Sequence, residues 1–321
     1  MSKIGDLKLK GEVFLAPMAD YTNIAYRTLA KEYGVALVYT ELISAKGLLM
    51  KNKRTEKMLQ VSEKEKPIFL QLFGSNPLDF ANAIKIVEKK YPNNFAGFDL
   101  NAGCSVPKAI KGKYGCALMK DALNVGQIIS SMKSSTNKPI SIKMRLGWSE
   151  ENFLDVAREA VLSGVDAITL HPRLGVEGYR GKANWGKIKE LKKEFKSKVK
   201  IIGNGDLSQP RDIVLMKEKT NCDFEMVGRS AIGNAFFFKQ ANCALSGKKI
   251  PLRNFVEQKK EIEKFFELVE EFNLGPNDVR PYCIGFVRGL VGAPSLRNKI
   301  GMSKTISEMN SIIQDYFSNK S

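Results

Sequence analysis

Short apolar runs recur along the first two thirds of the chain, and between most of them apolar residues return every three or four positions. The runs fall at 13–16, 36–41, 67–73, 95–100, 139–144, 167–171, 199–203 and 224–228. Runs of this length read as buried strands. The segments at 24–33, 78–91, 125–134, 152–163, 184–195 and 210–219 read as helices. Eight β units alternating with α units predict an α/β fold, a (β/α)8 TIM barrel. No GxGxxG follows any strand, which argues against a doubly wound dinucleotide domain. After about Asn234 the pattern changes. The stretches 236–245, 252–272, 278–291 and 305–317 are long, amphipathic and free of strand-like runs, with a turn at Leu274-Gly275-Pro276-Asn277. The expected organisation is a barrel over 1–234 and a smaller all-helical C-terminal domain over 235–321.

Length and composition agree with this division. The 321 residues suffice for one large barrel plus a small domain, and 43% hydrophobic with 26% charged residues indicates a soluble globular protein. No apolar stretch is long enough to cross a bilayer, and Met1-Ser2-Lys3-Ile4-Gly5 carries no apolar signal core, so a cytoplasmic protein is expected. The five cysteines (104, 116, 222, 243 and 283) are scattered, odd in number and form no CxxC pair. Together with a single histidine, His171, they argue against a disulfide framework and a metal site.

Charge changes the picture more. Lys plus Arg is 51 against 34 for Asp plus Glu, a surplus of +17 that suits a polyanionic partner or a lysine-rich proteome equally well. Its distribution favours the partner. Residues 279–307 contain no acid but hold Arg280, Arg288, Arg297, Lys299 and Lys304, interleaved with Tyr282 and Phe286. Helical spacing would bring Arg280 and Arg288 toward one face, with Pro281 near the start of that helix.

Barrel chemistry sits at the C-terminal ends of the strands, and a phosphate commonly binds after the last two. Those ends here are Asn204-Gly205-Asp206 and Gly228-Arg229-Ser230, where glycines admit close backbone approach and Arg229 adds a charged fork. The first strand ends in Ala16-Pro17-Met18-Ala19-Asp20, small enough for a flat ring to lie against or simply a strand-to-helix turn. Gln71 could bond the edge of a flavin ring or belong to a buried polar layer. Lys143, inward on the fifth strand, needs an anionic partner, such as a reduced flavin or a carboxylate in the barrel. His171 stands one residue from Pro172-Arg173. Cys104 follows a small-residue turn, Asn101-Ala102-Gly103, that presents one thiol at the barrel mouth.

In order along the chain, Leu15-Ala16-Pro17-Met18, Gln71-Leu72-Phe73-Gly74, Asp99-Leu100-Asn101-Ala102-Gly103-Cys104, Lys143-Met144-Arg145, His171-Pro172-Arg173 with Tyr179-Arg180-Gly181 and Asn184-Trp185, Asn204-Gly205-Asp206 and Met226-Val227-Gly228-Arg229 resemble the tRNA-dihydrouridine synthases. Ser105 stands where that family usually has proline, and Asn23 where aspartate is common. The resemblance implies FMN held by Pro17, Met18, Ala19, Asp20, Gln71, Lys143, His171, Asn204, Gly205, Asp206, Gly228 and Arg229. It implies reduction of the C5=C6 bond of uridines in tRNA: hydride from FMN to C6, a proton from Cys104 to C5, and NADPH or NADH as a diffusible reductant. Asn101 would position the uracil. Arg145, Arg173, Tyr179 and Arg180 would contact substrate, with Arg280, Arg288 and Arg297 on the tRNA backbone. The alternatives are an FMN barrel dehydrogenase acting on a free pyrimidine and a non-catalytic RNA-binding barrel.

Overall fold

The computed structural model describes residues 2–318, so Met1 and 319–321, the extremities of the two expected domains, lie outside the described residues. The eight apolar runs become parallel strands: β1 Val13–Leu15, β2 Val38–Tyr39, β3 Ile68–Phe73, β4 Gly97–Ala102, β5 Ile140–Met144, β6 Ala167–Leu170, β7 Lys200–Asn204 and β8 Phe224–Val227. Their spatial order is β1-β8-β7-β6-β5-β4-β3-β2. The ring closes between β1 and the start of β2 through a parallel bridge, Phe14 to Leu37, and the Ala36 N–H bond to Val13 O at 2.9 Å. A two-residue strand, Ile43–Ser44, extends the pairing of β3 toward the mouth.

Among the described residues eight helices are numbered around the ring, α1 Ile24–Glu32, α2 Ala45–Leu49, α3 Pro77–Lys90, α4 Ala122–Lys133, α5 Phe153–Leu162, α6 Trp185–Phe195, α7 Pro210–Thr220 and α8 Phe236–Leu245, and two more five-residue helices, Lys53–Lys57 and Pro107–Lys111, lie in the connections. Their starts follow capping chemistry. Asn23 Oδ1 accepts the Tyr26 N–H of α1 at 3.0 Å, and α3 and α7 open on proline, which needs no partner for a first-turn N–H. The helix expected to open the C-terminal domain, α8, packs on α7 and β1 as the eighth member of the ring.

Alternate strand residues point into the barrel. Phe14, Tyr39, Phe69, Ile202, Phe224 and Met226 pack there, with the Phe14 and Phe224 rings stacked at 4.7 Å. An N-terminal hairpin, Ser2–Ile4 paired with Leu7–Leu9, adds Ile4 and Leu9 to this cluster. Sequence periodicity does not reveal this hairpin. The interior is therefore packed below and polar above, which leaves chemistry only at the opposite mouth.

Four further helices follow: α9 Phe255–Glu271, α10 Pro276–Phe286, α11 Ala293–Met302 and α12 Ile306–Ser318. They dock on α1 through an aromatic cluster. Tyr26 of α1 lies 4.8 Å from Tyr282, whose ring is 4.9 Å from Phe265, itself 5.3 Å from Phe286. The Tyr282 hydroxyl also accepts the Asn23 N–H at 3.1 Å. The seam between barrel and helices is thus a dry core with a polar tie. Among the described residues no helix is long and apolar enough to cross a membrane.

Candidate active site

β4 runs to Ala102, two residues short of Cys104, and a chain of buried hydrogen bonds fixes the turn between them. The Ser141 hydroxyl and Gln71 Nε2 both donate to the Asp99 carboxylate, the latter at 2.6 Å. Asn101 Nδ2 donates to Gln71 Oε1 at 2.8 Å, and Asn101 Oδ1 accepts the Cys104 N–H at 3.1 Å and the Gly103 N–H at 3.3 Å. Arg145 Nε reaches Gly103 O at 2.9 Å. The backbone position of Cys104 is thereby over-determined, while its residue stays partly exposed. On the far side, the Cys104 carbonyl accepts the Cys116 N–H, and a Cβ on Gly115, which sits at φ +61°, would fall 2.6 Å from that carbonyl. Only glycine fits there.

Beside this turn a cavity of about 410 Å³ opens at the ends of β1, β7 and β8. Of the residues singled out from sequence, it is lined by Pro17, Met18, Lys143, His171, Tyr179, Asn204, Gly205, Asp206, Gly228, Arg229 and Arg288. Ser208 and Ser230 also line it and are absent from that set, although each lies within two residues of a chosen strand end. Gly205 has φ +111°, and a Cβ there would come within 2.9 Å of both His171 Cδ2 and Ala183 Cβ. Asn204 Nδ2 donates to Met226 O at 2.7 Å and so couples the β7 and β8 ends.

The electrostatics are strongly positive. Arg173 is buried, bonds the carbonyls of Arg180 and Gly181, and clasps the Asp206 carboxylate with Nη2 at 2.8 Å. Burial alone would raise the Asp206 carboxyl, but the Ala183 N–H and Arg173 outweigh it and hold it below the usual range. Arg173 Nη1 lies 3.0 Å from His171 Nε2. A guanidinium only donates, so Nε2 accepts and the ring proton is assigned to Nδ1. Burial, then Lys143, Arg145, Arg173 and Arg229, push the His171 pKa far below its ordinary value and keep the ring neutral. Burial followed by Arg145 lowers the Lys143 ammonium to about 8, against the opposing pull of Asp99 and Cys104. Arg229 is half exposed, lies 4.1 Å from the centroid of the Tyr179 ring, and stands 3.9 Å from Asp206.

These residues suit a group with a phosphate at one end and a polar ring edge at the other. Arg229 and the glycines of two strand-end turns, Gly205 and Gly228, line the cavity. Lys143 lines it from β5, and the Thr169 hydroxyl paired across from it on β6 is buried without a hydrogen-bond partner among the described residues.

Other expected site residues lie elsewhere. Ala19 and Asp20 lie outside this cavity's lining; Asp20, at φ +64°, lines a separate cleft and donates its N–H to Glu41 at 2.9 Å. Gln71 and Asn101 spend their amides on the network below Cys104. Arg145 is buried, with Nη1 on the carbonyls of Leu174 and Gly178. Arg180 is exposed and bonds the carbonyls of Val176 and Glu177. Arg280 and Arg288 do not share a helix face. α10 ends at Phe286, before Arg288, while Arg280 Nη2 turns to Ser303 O at 2.8 Å. Arg297 is half-buried on α11.

A family model described as dihydrouridine synthase matches residues 14–319. A protein of Aquifex aeolicus (strain VF5) named probable tRNA-dihydrouridine synthase is 40% identical over 234 residues, 72% of each chain. One of the same name from Rickettsia prowazekii (strain Madrid E) is 29% identical over 324 residues, 99% of this chain and 98% of its own. Among solved structures, histamine dehydrogenase from Rhizobium sp. 4-9 superposes with a TM-score of 0.58 at 15% identity, over 83% of this chain. The chain spans half the length of that protein, and the likeness is one of fold.

Proposed function

Since the chain belongs to the dihydrouridine synthase family, we propose that it reduces the C5=C6 bond of specific uridines in tRNA to 5,6-dihydrouridine, with FMN held in the cavity at the ends of β1, β7 and β8. The observation that carries this reading is a cation-lined cavity next to a firmly held thiol turn: Lys143 lines the cavity, and its strand pairs with the strand that ends in that turn, Asn101 opposite Lys143. FMN held there would supply the hydride for C6 of the base, with NADPH or NADH as its reductant. Lys143, half-buried in the cavity lining, would stabilise negative charge on the edge of a ring held there. Arg229 and the Gly205 and Gly228 turns hold the phosphate. Cys104 gives its proton to C5 as charge builds there, so the thiol must enter the reaction protonated.

Asn101 acts by fixing the Cys104 turn, and Arg145 by tying that turn to the loop at 174–178. Arg173 holds Asp206 and His171 in place, which leaves Tyr179 and Arg180 at the exposed rim for the substrate. The target base must leave its stack to reach a barrel mouth. The net charge of +17 binds the tRNA backbone.

The test is direct. Purified protein should be yellow, and with NADPH it should convert uridine to dihydrouridine in tRNA from cells lacking the modification. Colourless protein favours an RNA-binding barrel, and turnover of free uracil in place of tRNA favours a pyrimidine dehydrogenase.

A further inference from the structure

The turn after β8 is held by the helical domain and α1 as well as by the barrel. The Tyr26 hydroxyl donates to Ala231 O. Arg253 Nη2 donates to Gly233 O at 2.9 Å and pairs at 2.7 Å with Glu261, which also accepts the Ala235 N–H. Two glycines let the domains meet backbone to backbone. A Cβ on Gly233, which has φ +67°, would lie 2.3 Å from the Gly285 carbonyl carbon, and one on Gly285 would lie 3.1 Å from Ile232 O. The contact fixes the end of α10, where Gln258 Nε2 donates to Phe286 O at 2.7 Å and the Arg288 N–H donates to Gly285 O at 3.1 Å. Arg288 is thereby carried to the wall of the cavity that Arg229 and Ser230 also line. Among the described residues it is the one lining residue that follows α9.

We propose that Arg288 is a ligand of the cofactor phosphate rather than of the tRNA backbone, so that barrel and helical domain build the phosphate site together. The proposal rests on the cavity being the flavin site. Charge supports it. Among the described residues Asp206 is the only carboxylate lining the cavity, and the buried Arg173 already matches it. Arg229 and Arg288 then remain as two guanidinium forks for a monoester carrying close to two negative charges. The side chain is exposed, so removing it leaves the domain seam intact.

The experiment titrates the flavin-stripped full-length chain with FMN and with riboflavin, which lacks the phosphate, by flavin fluorescence. Arg288→Ala should weaken FMN binding about tenfold or more and leave riboflavin binding unchanged, because a lost charge-assisted bond is felt only through the phosphate. Arg288→Lys should recover part of the loss. Unchanged FMN affinity in Arg288→Ala overturns the proposal, and a raised KM for tRNA in the same variant then assigns the residue to RNA. An equal loss for both flavins also overturns it, since that marks a disturbed pocket. If the wild type binds neither flavin, the cavity itself has been misread.

Discussion

Lys143→Met should make the flavin-free protein more stable at neutral pH while abolishing dihydrouridine formation. Burial and the nearby Arg145 pull the Lys143 ammonium from 10.5 to about 8, with Asp99 and Cys104 resisting. At about 1.36 kcal/mol per unit, carrying the charge into the fold costs roughly 3 kcal/mol at pH 7. The folded value lies below the unfolded one. The cost is therefore complete below about pH 8 and fades as pH climbs toward 10.5, leaving about 1 kcal/mol at pH 9.5. Methionine keeps the unbranched stem and approximate volume, so packing beside Asn101 and Thr169 on the neighbouring strands is largely conserved. Denaturant midpoints of stripped wild type and variant, measured at pH 7 and 9.5, should differ more at the lower pH. A variant that is less stable at pH 7, or equally improved at both, refutes the reasoning. Added FMN should narrow the gap at pH 7 if the ring edge partners the ammonium.

Arg229→Ala should retain flavin less well by roughly 1.5–3 kcal/mol, read from FMN content after dialysis; equal content removes Arg229 from the site. Cys104→Ala should keep its flavin and accept electrons from NADPH yet make little dihydrouridine, and wild-type rates of flavin oxidation by tRNA would exclude the thiol as the proton donor. Burial raises the Asp99 carboxyl to about 6 against the hydrogen bonds from Gln71 and Ser141. Its stabilising contribution is thus full below the ordinary 3.8 and lost as pH rises through 6. Asp99→Asn should remove a swing of about 2 kcal/mol between pH 4 and 7, and an unaltered pH profile would contradict this. Arg297→Glu with Lys299→Glu should raise the KM for tRNA and flatten its salt dependence while NADPH oxidation without tRNA stays constant; unchanged turnover across a salt series would locate RNA docking on the barrel loops.

The barrel is legible in the sequence because buried parallel strands must be apolar on both faces, and helices between them must show one apolar stripe. The pieces that escape this reading lack that signal. The N-terminal hairpin has strands of three residues whose solvent faces carry Lys3 and Lys8. α11 opens on Gly292-Ala293-Pro294, residues that read as a loop. α8 is long and strand-free, so only its packing on α7 and β1 assigns it to the ring.

The site divides the same way. That strand ends converge follows from barrel geometry, and so position alone brings Lys143, His171, Asn204 and Arg229 to the lining of one cavity. Which strand-end residue faces the cavity depends on turn dihedrals, and the positive φ of Asp20 helps take it to another cleft. Arginines show the limit most clearly. Residues 279–307 read as one basic surface, yet Arg280 braces the Ser303 carbonyl, Arg297 is half-buried on α11, and Arg288 stands at the cavity wall. Net charge constrains the kind of partner. The contact an arginine makes is decided by where its helix stops, and α10 stops where Gly233 and Gly285 bring two backbones together.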